Sequence, residues 1–272
     1  MDVDDLERKH FMKTLAVFKY YRQIYLKETI VGVEERKQSY GPVLEEIKKL
    51  YWSSDRHLSD IRILVPGAGL GRLAWELANC GFSCQGNEWS LYMLLPAYFI
   101  LNTCKKVGEY TLYPWATQFC NNMTRDNQTA SVTVPDVVPT DIPAGVQFSM
   151  VAGDFVEVYS EAESWDCVAT VYFIDTAHNI LDYLDTIWRI LVPGGYWINF
   201  GPLLYHFADI PGQDSIELSY EELKKAIKLM GFEFVKEEVR IPSTFTQDPN
   251  SMLHYHYKCV LNVLRKPPSA KK

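Results

Sequence analysis

The sequence has no excess of positive charge, no apolar run long enough to cross a bilayer, no paired cysteine spacing and no internal repeat. Each absence removes a class of function. Lys and Arg number 27 against 34 Asp and Glu, a formal net charge of −7, which argues against a nucleic-acid backbone as main partner. The most apolar long run, Leu91 to Leu101, is too short for a membrane span and contains Pro96. The acidic start, Met1-Asp2-Val3-Asp4-Asp5, does not read as a signal peptide. Six cysteines are scattered, and only Cys80 and Cys84 are close, with no second pair at zinc spacing. They read as reduced side chains filling apolar positions in a cytosolic protein, and no metal is expected.

What is present is an ordinary core composition, 47% apolar. Leu15, Phe18, Tyr21 and Ile24, then Val43, Leu44, Ile47 and Leu50, lie at helical spacing on either side of Gly41-Pro42. From Ile61 short apolar strands alternate with helix-like segments, the signature of a mostly parallel sheet covered on both faces. Strands are predicted at 62–65, 83–87, 147–152, 167–173, 196–200, 232–239 and 255–264, and helices at 70–79, 90–103, 180–191 and 220–230. Pro193-Gly194-Gly195 reads as a turn that stops the third helix. The Pro-, Asn- and Thr-rich stretch from Thr111 to Gly145 is long for a structureless connection and reads as a lid or mobile insert. The organisation expected is a helical region over 1–58, a core over 59–267 with an inserted loop at about 104–146, and a tail over 268–272.

The first strand runs into Gly67, Gly69 and Gly71. A dinucleotide loop would place its third glycine at position 72, where this chain has Arg72. Gly67, Gly69 and Arg72 are candidate cofactor contacts. Glu88 ends the second strand, where a carboxylate can accept both ribose hydroxyls. Asp154 and Phe155 end the third strand, placed to accept an adenine amino group and to pack on its face. Asp175 ends the fourth. In open α/β sheets ligands bind at this carboxyl edge. The ordered series is similar to the Rossmann-like S-adenosylmethionine-dependent methyltransferases, as is the late hairpin-like pair of strands.

Longer strings are more specific. "VPGAGLGRLAWELA", "CQGNEWS", "LYPW", "MVAGDF", "FIDTAHNILDYLDTIWRILVPGG" and "INFGPLLYHF" together resemble the carnosine N-methyltransferase family from about Tyr40 to Pro267. The resemblance implies a seven-stranded methyltransferase sheet with an N-terminal helical extension, S-adenosylmethionine as cofactor, and a homodimer in the cytoplasm, with the nucleus as a further compartment. It implies methyl transfer to an imidazole nitrogen of the dipeptide carnosine, giving anserine. Carried over residue by residue, it puts Gly67, Glu88, Asp154 and Phe155 on the cofactor. Tyr172, Asp175, His206, Tyr255 and Tyr257 fall on the dipeptide, with Asp175 and His206 as the catalytic pair.

Departures from the family pattern are also visible. Tyr172 and Phe245 stand where Phe and Tyr are expected, and a segment is missing between about Tyr20 and Tyr40. Gln23 matches a family Gln at the cofactor's carboxylate end, but Leu26 occupies the position of its Arg partner. The runner-up among enzymes is methyl transfer to another histidine-containing peptide or protein. The shortening keeps a second class open, a relative that binds cofactor without turnover, and a nicotinamide dehydrogenase is a distant third. From the residues alone, Asp175 could equally be an N-cap, Tyr255 and Tyr257 could be plain core, and His178 and Asn179 read as the start of a helix.

Overall fold

The computed structural model describes residues 27–268. The Leu15–Ile24 helical pattern, Gln23 and Leu26 lie outside them. Two helices, α1 (Val33–Ser39) and α2 (Gly41–Tyr51), precede the sheet, the second with Pro42 in its first turn, where its missing N–H costs nothing. The core then runs β1 (Arg62–Pro66), α3 (Arg72–Asn79), β2 (Ser83–Glu88), α4 (Leu91–Thr103), β3 (Tyr110–Leu112), α5 (Arg125–Gln128), β4 (Val132–Val134), β5 (Phe148–Ala152), α6 (Phe155–Val158), β6 (Trp165–Val171), α7 (Ile180–Ile190), β7 (Leu191–Gly201), α8 (Tyr220–Leu229), β8 (Glu233–Ser243) and β9 (Tyr257–Arg265).

Seven strands form one sheet in the order β5-β2-β1-β6-β7-β9-β8. β1 is an interior strand, and Ile63, Leu64 and Val65 are all buried, as a parallel strand covered on both faces requires. It pairs in parallel with β2 (Leu64↔Gln85) and with β6 (Leu64↔Val168). The order reverses at β1, so a crevice opens beyond the carboxyl ends of β1 and β6. β9 lies antiparallel between β7 and β8.

On one face Val43, Ile47 and Tyr51 of α2 pack with Leu73, Ala74 and Leu77 of α3. On the other, Ile180, Leu184 and Ile187 of α7 pack with Leu223 and Ile227 of α8. Each fully buried Ile or Leu contributes about 1.5–3 kcal/mol. No helix among the described residues is long and apolar enough to cross a membrane.

The structure corrects two expectations and describes the Thr111–Gly145 insert. Pro193-Gly194-Gly195 lies within β7 and not in a turn, because Gly194 N–H donates to the Lys266 carbonyl at 2.8 Å and Gly195 accepts from Lys266 at 2.9 Å. The Thr111–Gly145 stretch is not structureless. β3 and β4 pair antiparallel (Thr111↔Thr133), and the insert docks where Trp75 Nε1 donates to the Pro139 carbonyl at 2.9 Å. β9 begins at Tyr257, so Tyr255 precedes the strand and the shared face expected for these two tyrosines does not exist.

Candidate active site

A cavity of about 790 Å³ lies at the carboxyl ends of β1, β2, β5 and β6. Gly67, Gly69, Arg72, Glu88, Asp154 and Phe155 line it. Gly67 has φ +64°, and a Cβ at that position would overlap the Phe173 ring. Only glycine lets the loop lie this close to β6. Glu88 accepts main-chain bonds from Gly69, Trp89 and Ser90, each at 2.9 Å. Burial nonetheless raises its pKa, against the pull of those amides. A carboxylate offers about four acceptor positions. Three are taken, so accepting both ribose hydroxyls requires an amide, such as that of Gly69, to yield. Asp154 caps α6, accepting from Val156 N–H at 2.8 Å through Oδ1, which leaves Oδ2 for an incoming donor. Phe155 is 3% exposed. Its ring packs edge-on against Phe173 and Tyr183 at 5.5 and 5.4 Å, so it floors the cavity. Tyr183, not anticipated from sequence, stacks on Phe173 at 4.7 Å and 11° and lines the same wall.

Tyr172, Asp175, His206 and Tyr257 line the same cavity. Tyr255 does not line the cavity. The residue is 62% exposed and its amide donates to Gln247 Oε1 at 3.0 Å. Asp175 sits in a single 3-10 turn, Ile174–Thr176. It does not cap the next helix, because Asn179 does so, accepting from Leu181 N–H at 3.0 Å. Asp175 Oδ2 accepts from Leu204 N–H at 2.8 Å, and the Asp175 carbonyl accepts from His206 N–H at 3.0 Å. One residue thus ties the segment carrying His206 to the end of β6. His178 pins that segment again, stacking on Phe207 at 3.4 Å. Burial raises the Asp175 pKa, with the Leu204 amide and nearby His206 opposing.

Tyr172 has φ +52°, a conformation that costs a bulky residue energy and is found at functional sites. Its hydroxyl lies 3.3 Å from Cys259 Sγ, so it points toward β9. Its ring stacks on Phe245 at 4.6 Å and meets Tyr257 at 5.7 Å.

Beyond the glycine loop a buried ion cluster closes the cavity. Arg72 pairs with Asp136 at 2.5 Å, Glu76 at 2.9 Å and Glu28 at 3.3 Å. Arg36 pairs with the other Asp136 oxygen and donates to the carbonyls of Lys27 and Thr29. Arg72, expected on the cofactor, is thus engaged by three carboxylates at the cavity wall. Lys27, Glu28 and Tyr40 also line the cavity. No motif marks them in the sequence, because Lys27 and Glu28 come from a turn some forty residues before the glycine loop and Tyr40 from the junction of α1 and α2. Among the described residues no group of three or more His, Cys, Asp or Glu could hold a metal.

This sheet order, with a glycine loop after β1 and acids after β2 and β5, defines the class of the Rossmann-like, S-adenosylmethionine-dependent methyltransferases. The fold matches a chain of the complex between Haloferax volcanii Trm112, a methyltransferase activator, and a methyltransferase (TM-score 0.53, 15% identity, 91% of this chain and 96% of that one). It also matches an S-adenosylmethionine-dependent methyltransferase of Methanosarcina mazei (TM-score 0.51, 13% identity, 84% and 98%). Within that class the chain belongs to the carnosine N-methyltransferase family, whose model matches residues 4–268. It is 53% identical to the carnosine N-methyltransferase of Rattus norvegicus over 236 residues, 87% of this chain and 59% of the relative. It is 45% identical to that of Drosophila melanogaster over 266 residues, 98% and 58%. The chain therefore spans about three fifths of the length of these relatives.

Proposed function

We propose that this chain transfers a methyl group from S-adenosylmethionine to an imidazole nitrogen of carnosine. The observation that carries the reading is that one cavity is lined both by Glu88 and Asp154 and by Asp175, His206 and the aromatic rings of Tyr172, Phe245 and Tyr257. The cavity's donor set fits the cofactor. Glu88 and Asp154 each retain an acceptor position, one for a ribose hydroxyl and one for an exocyclic amine. When bound, the cofactor supplies an electrophilic sulfonium methyl.

The chain's residues prepare the acceptor. An imidazole nitrogen attacks only when unprotonated, and its reference pKa of about 6.5 makes that form abundant at neutral pH. No strong base is needed, but the tautomer must be selected. A carboxylate accepting N–H from the far nitrogen leaves the near lone pair free. Asp175 is held for this by Leu204, which occupies only its Oδ2. His206 stands beside it on the same tied segment. As the near nitrogen takes the methyl, the ring becomes cationic. The Asp175 carboxylate stabilises that charge and receives or relays the far proton. Tyr172, Phe245 and Tyr257 hold the ring plane and exclude water. Positioning of this kind can supply roughly 7–11 kcal/mol in favourable cases.

The test is methyl transfer assayed side by side with carnosine, homocarnosine and a histidine-containing protein. Turnover of carnosine is expected. Methylation of the protein alone would make the substrate a protein histidine, and cofactor binding with no transfer to any acceptor would make the chain an inactive relative.

The pH profile checks Asp175. A raised carboxyl pKa means the carboxylate is lost, as pH falls, earlier than for an ordinary aspartate. The free imidazole is also lost by protonation below about 6.5. Both losses lie on the acid side, so log kcat/KM is expected to fall below the imidazole pKa of about 6.5 and to steepen beyond a slope of one before the pH reaches the ordinary aspartate value of about 3.9. A slope that stays at one down to that value would remove Asp175 from the titrating machinery.

A further inference from the structure

Lys27, Arg72, His178 and His206 are the basic side chains that line the cavity, and the last three are committed elsewhere. Arg72 is bound by Asp136, Glu76 and Glu28. His178 Nδ1 lies 2.8 Å from the Asp214 carbonyl and its ring stacks on Phe207. His206 is tied to Asp175 through its amide, and its charge acts on the Asp175 carboxyl. Lys27 is placed differently. Its Nζ lies over the Tyr40 and Phe245 rings, 4.5 and 4.3 Å from their centroids. Its ion pair with Glu35, at 3.9 Å, is too long for a hydrogen bond, and Glu35 Oε1 is buried without a hydrogen-bond partner. The ammonium thus brings three N–H donors to a wall of aromatic faces. Burial pushes its pKa down to about 8, against the pull of Glu35 and Glu28. Those two carboxylates do not offset its desolvation, and an anionic ligand group would.

Phe245 decides which ligand that is. Its ring stacks on Tyr172 at 4.6 Å, and Tyr172 meets Tyr257 at 5.7 Å, so the ammonium is seated on the wall that holds the acceptor ring. We propose that Lys27 Nζ binds the carboxylate of the acceptor dipeptide and makes that carboxylate a requirement for tight acceptor binding. The inference rests on the reading that this cavity takes carnosine as methyl acceptor. The connectivity of the dipeptide supports the assignment. Its carboxylate is joined to the imidazole through two carbons, the histidyl Cβ and Cα, whereas its ammonium lies beyond a peptide bond and two further carbons. With the imidazole against Tyr172 and Phe245, the carboxylate stays within reach of a cation on the same wall. The ring faces also shield the pair from water, which strengthens it. Arg36 Nη1 donates to the Lys27 carbonyl at 2.6 Å, so the backbone of the lysine is fixed before the acceptor arrives.

The test compares carnosine with β-alanylhistamine, the same molecule without its carboxylate. Wild type is expected to show a kcat/KM for carnosine about 10–100-fold above that for β-alanylhistamine, the worth of a charge-assisted bond. Lys27→Met keeps a chain of similar length between the two rings. In that variant carnosine should fall to the level of β-alanylhistamine, chiefly through KM, while β-alanylhistamine stays within about twofold. Lys27→Arg keeps the cation and should keep most of the preference. Calorimetry with S-adenosylhomocysteine should give unchanged affinity in both variants. Turnover of the two acceptors without preference in wild type overturns the assignment, even where a variant folds poorly. Equal loss on both acceptors in Lys27→Met would make the lysine structural, and a selective loss of S-adenosylhomocysteine affinity would move it to the cofactor; either result overturns the proposal. Wild type that turns over neither acceptor overturns the function reading itself and the assignment with it, an outcome distinct from turnover without preference.

Discussion

Asp175→Asn is expected to lower kcat/KM for carnosine by about 10²–10⁴-fold, the range of a positioned acid–base group, with S-adenosylhomocysteine affinity unchanged. The substitution keeps shape. The Asn carbonyl can still accept from Leu204 N–H, now at 2.8 Å from Oδ2, so the 202–206 segment stays tied to β6. What changes is the second atom, from an acceptor to an NH₂ donor. Facing the far imidazole nitrogen, a donor selects the tautomer whose proton sits on the attacking nitrogen, and that nitrogen has no lone pair to give. The loss should therefore appear in kcat as well as in KM. Stability should not fall, because burial already disfavours the charge on Asp175. Full turnover in the variant, with normal cofactor binding, would remove Asp175 from its role.

The parts of this site that could be read from sequence are those that obey a local rule. Gly67 announces itself because a tight loop between an apolar strand and a helix needs positive φ and close approach to Phe173. Glu88 and Asp154 follow from strand order, since each falls at the carboxyl end of a strand read in the sequence. Period-two reasoning failed at Tyr255 because alternation continues through His254-Tyr255-His256-Tyr257 although the pairing to β8 stops at Tyr257. β3 and β4 were illegible for a different reason. Each has three residues, too few to show a period, and they pair across some twenty intervening positions. Lys27 and Glu28 obey no pattern. Their placement is set by Arg36, Arg72 and Asp136, partners 9 to 108 positions away in the chain, and only the folded chain brings these together.

That same convergence makes Asp136→Asn the largest expected loss of stability. Asp136 uses both carboxylate oxygens, one on Arg36 and one on Arg72, and its amide donates to the Glu28 carbonyl at 3.0 Å. The Arg72 and Arg36 side chains are 5% and 9% exposed, so neither guanidinium can exchange the lost partner for water. Removing one member of a buried ion pair costs about 3–5 kcal/mol, because the surviving charge stays buried. For a chain of this size that is a fall in Tm on the order of 10 °C. The comparison is Glu237→Gln, which breaks the Lys224–Glu237 pair, where the side chains are 31% and 26% exposed. Partial exposure lets water take over there, and the cost should be within about 1 kcal/mol. The Asp136 variant should also raise the KM for carnosine, since the turn carrying Lys27 and Glu28 hangs on Arg36 and on the Asp136 main chain. Thermal melts of the two variants measured together decide the point. Equal, small shifts would mean that the cluster is screened like a surface pair, and that the insert bearing Asp136 does not hold the cavity's far wall in place.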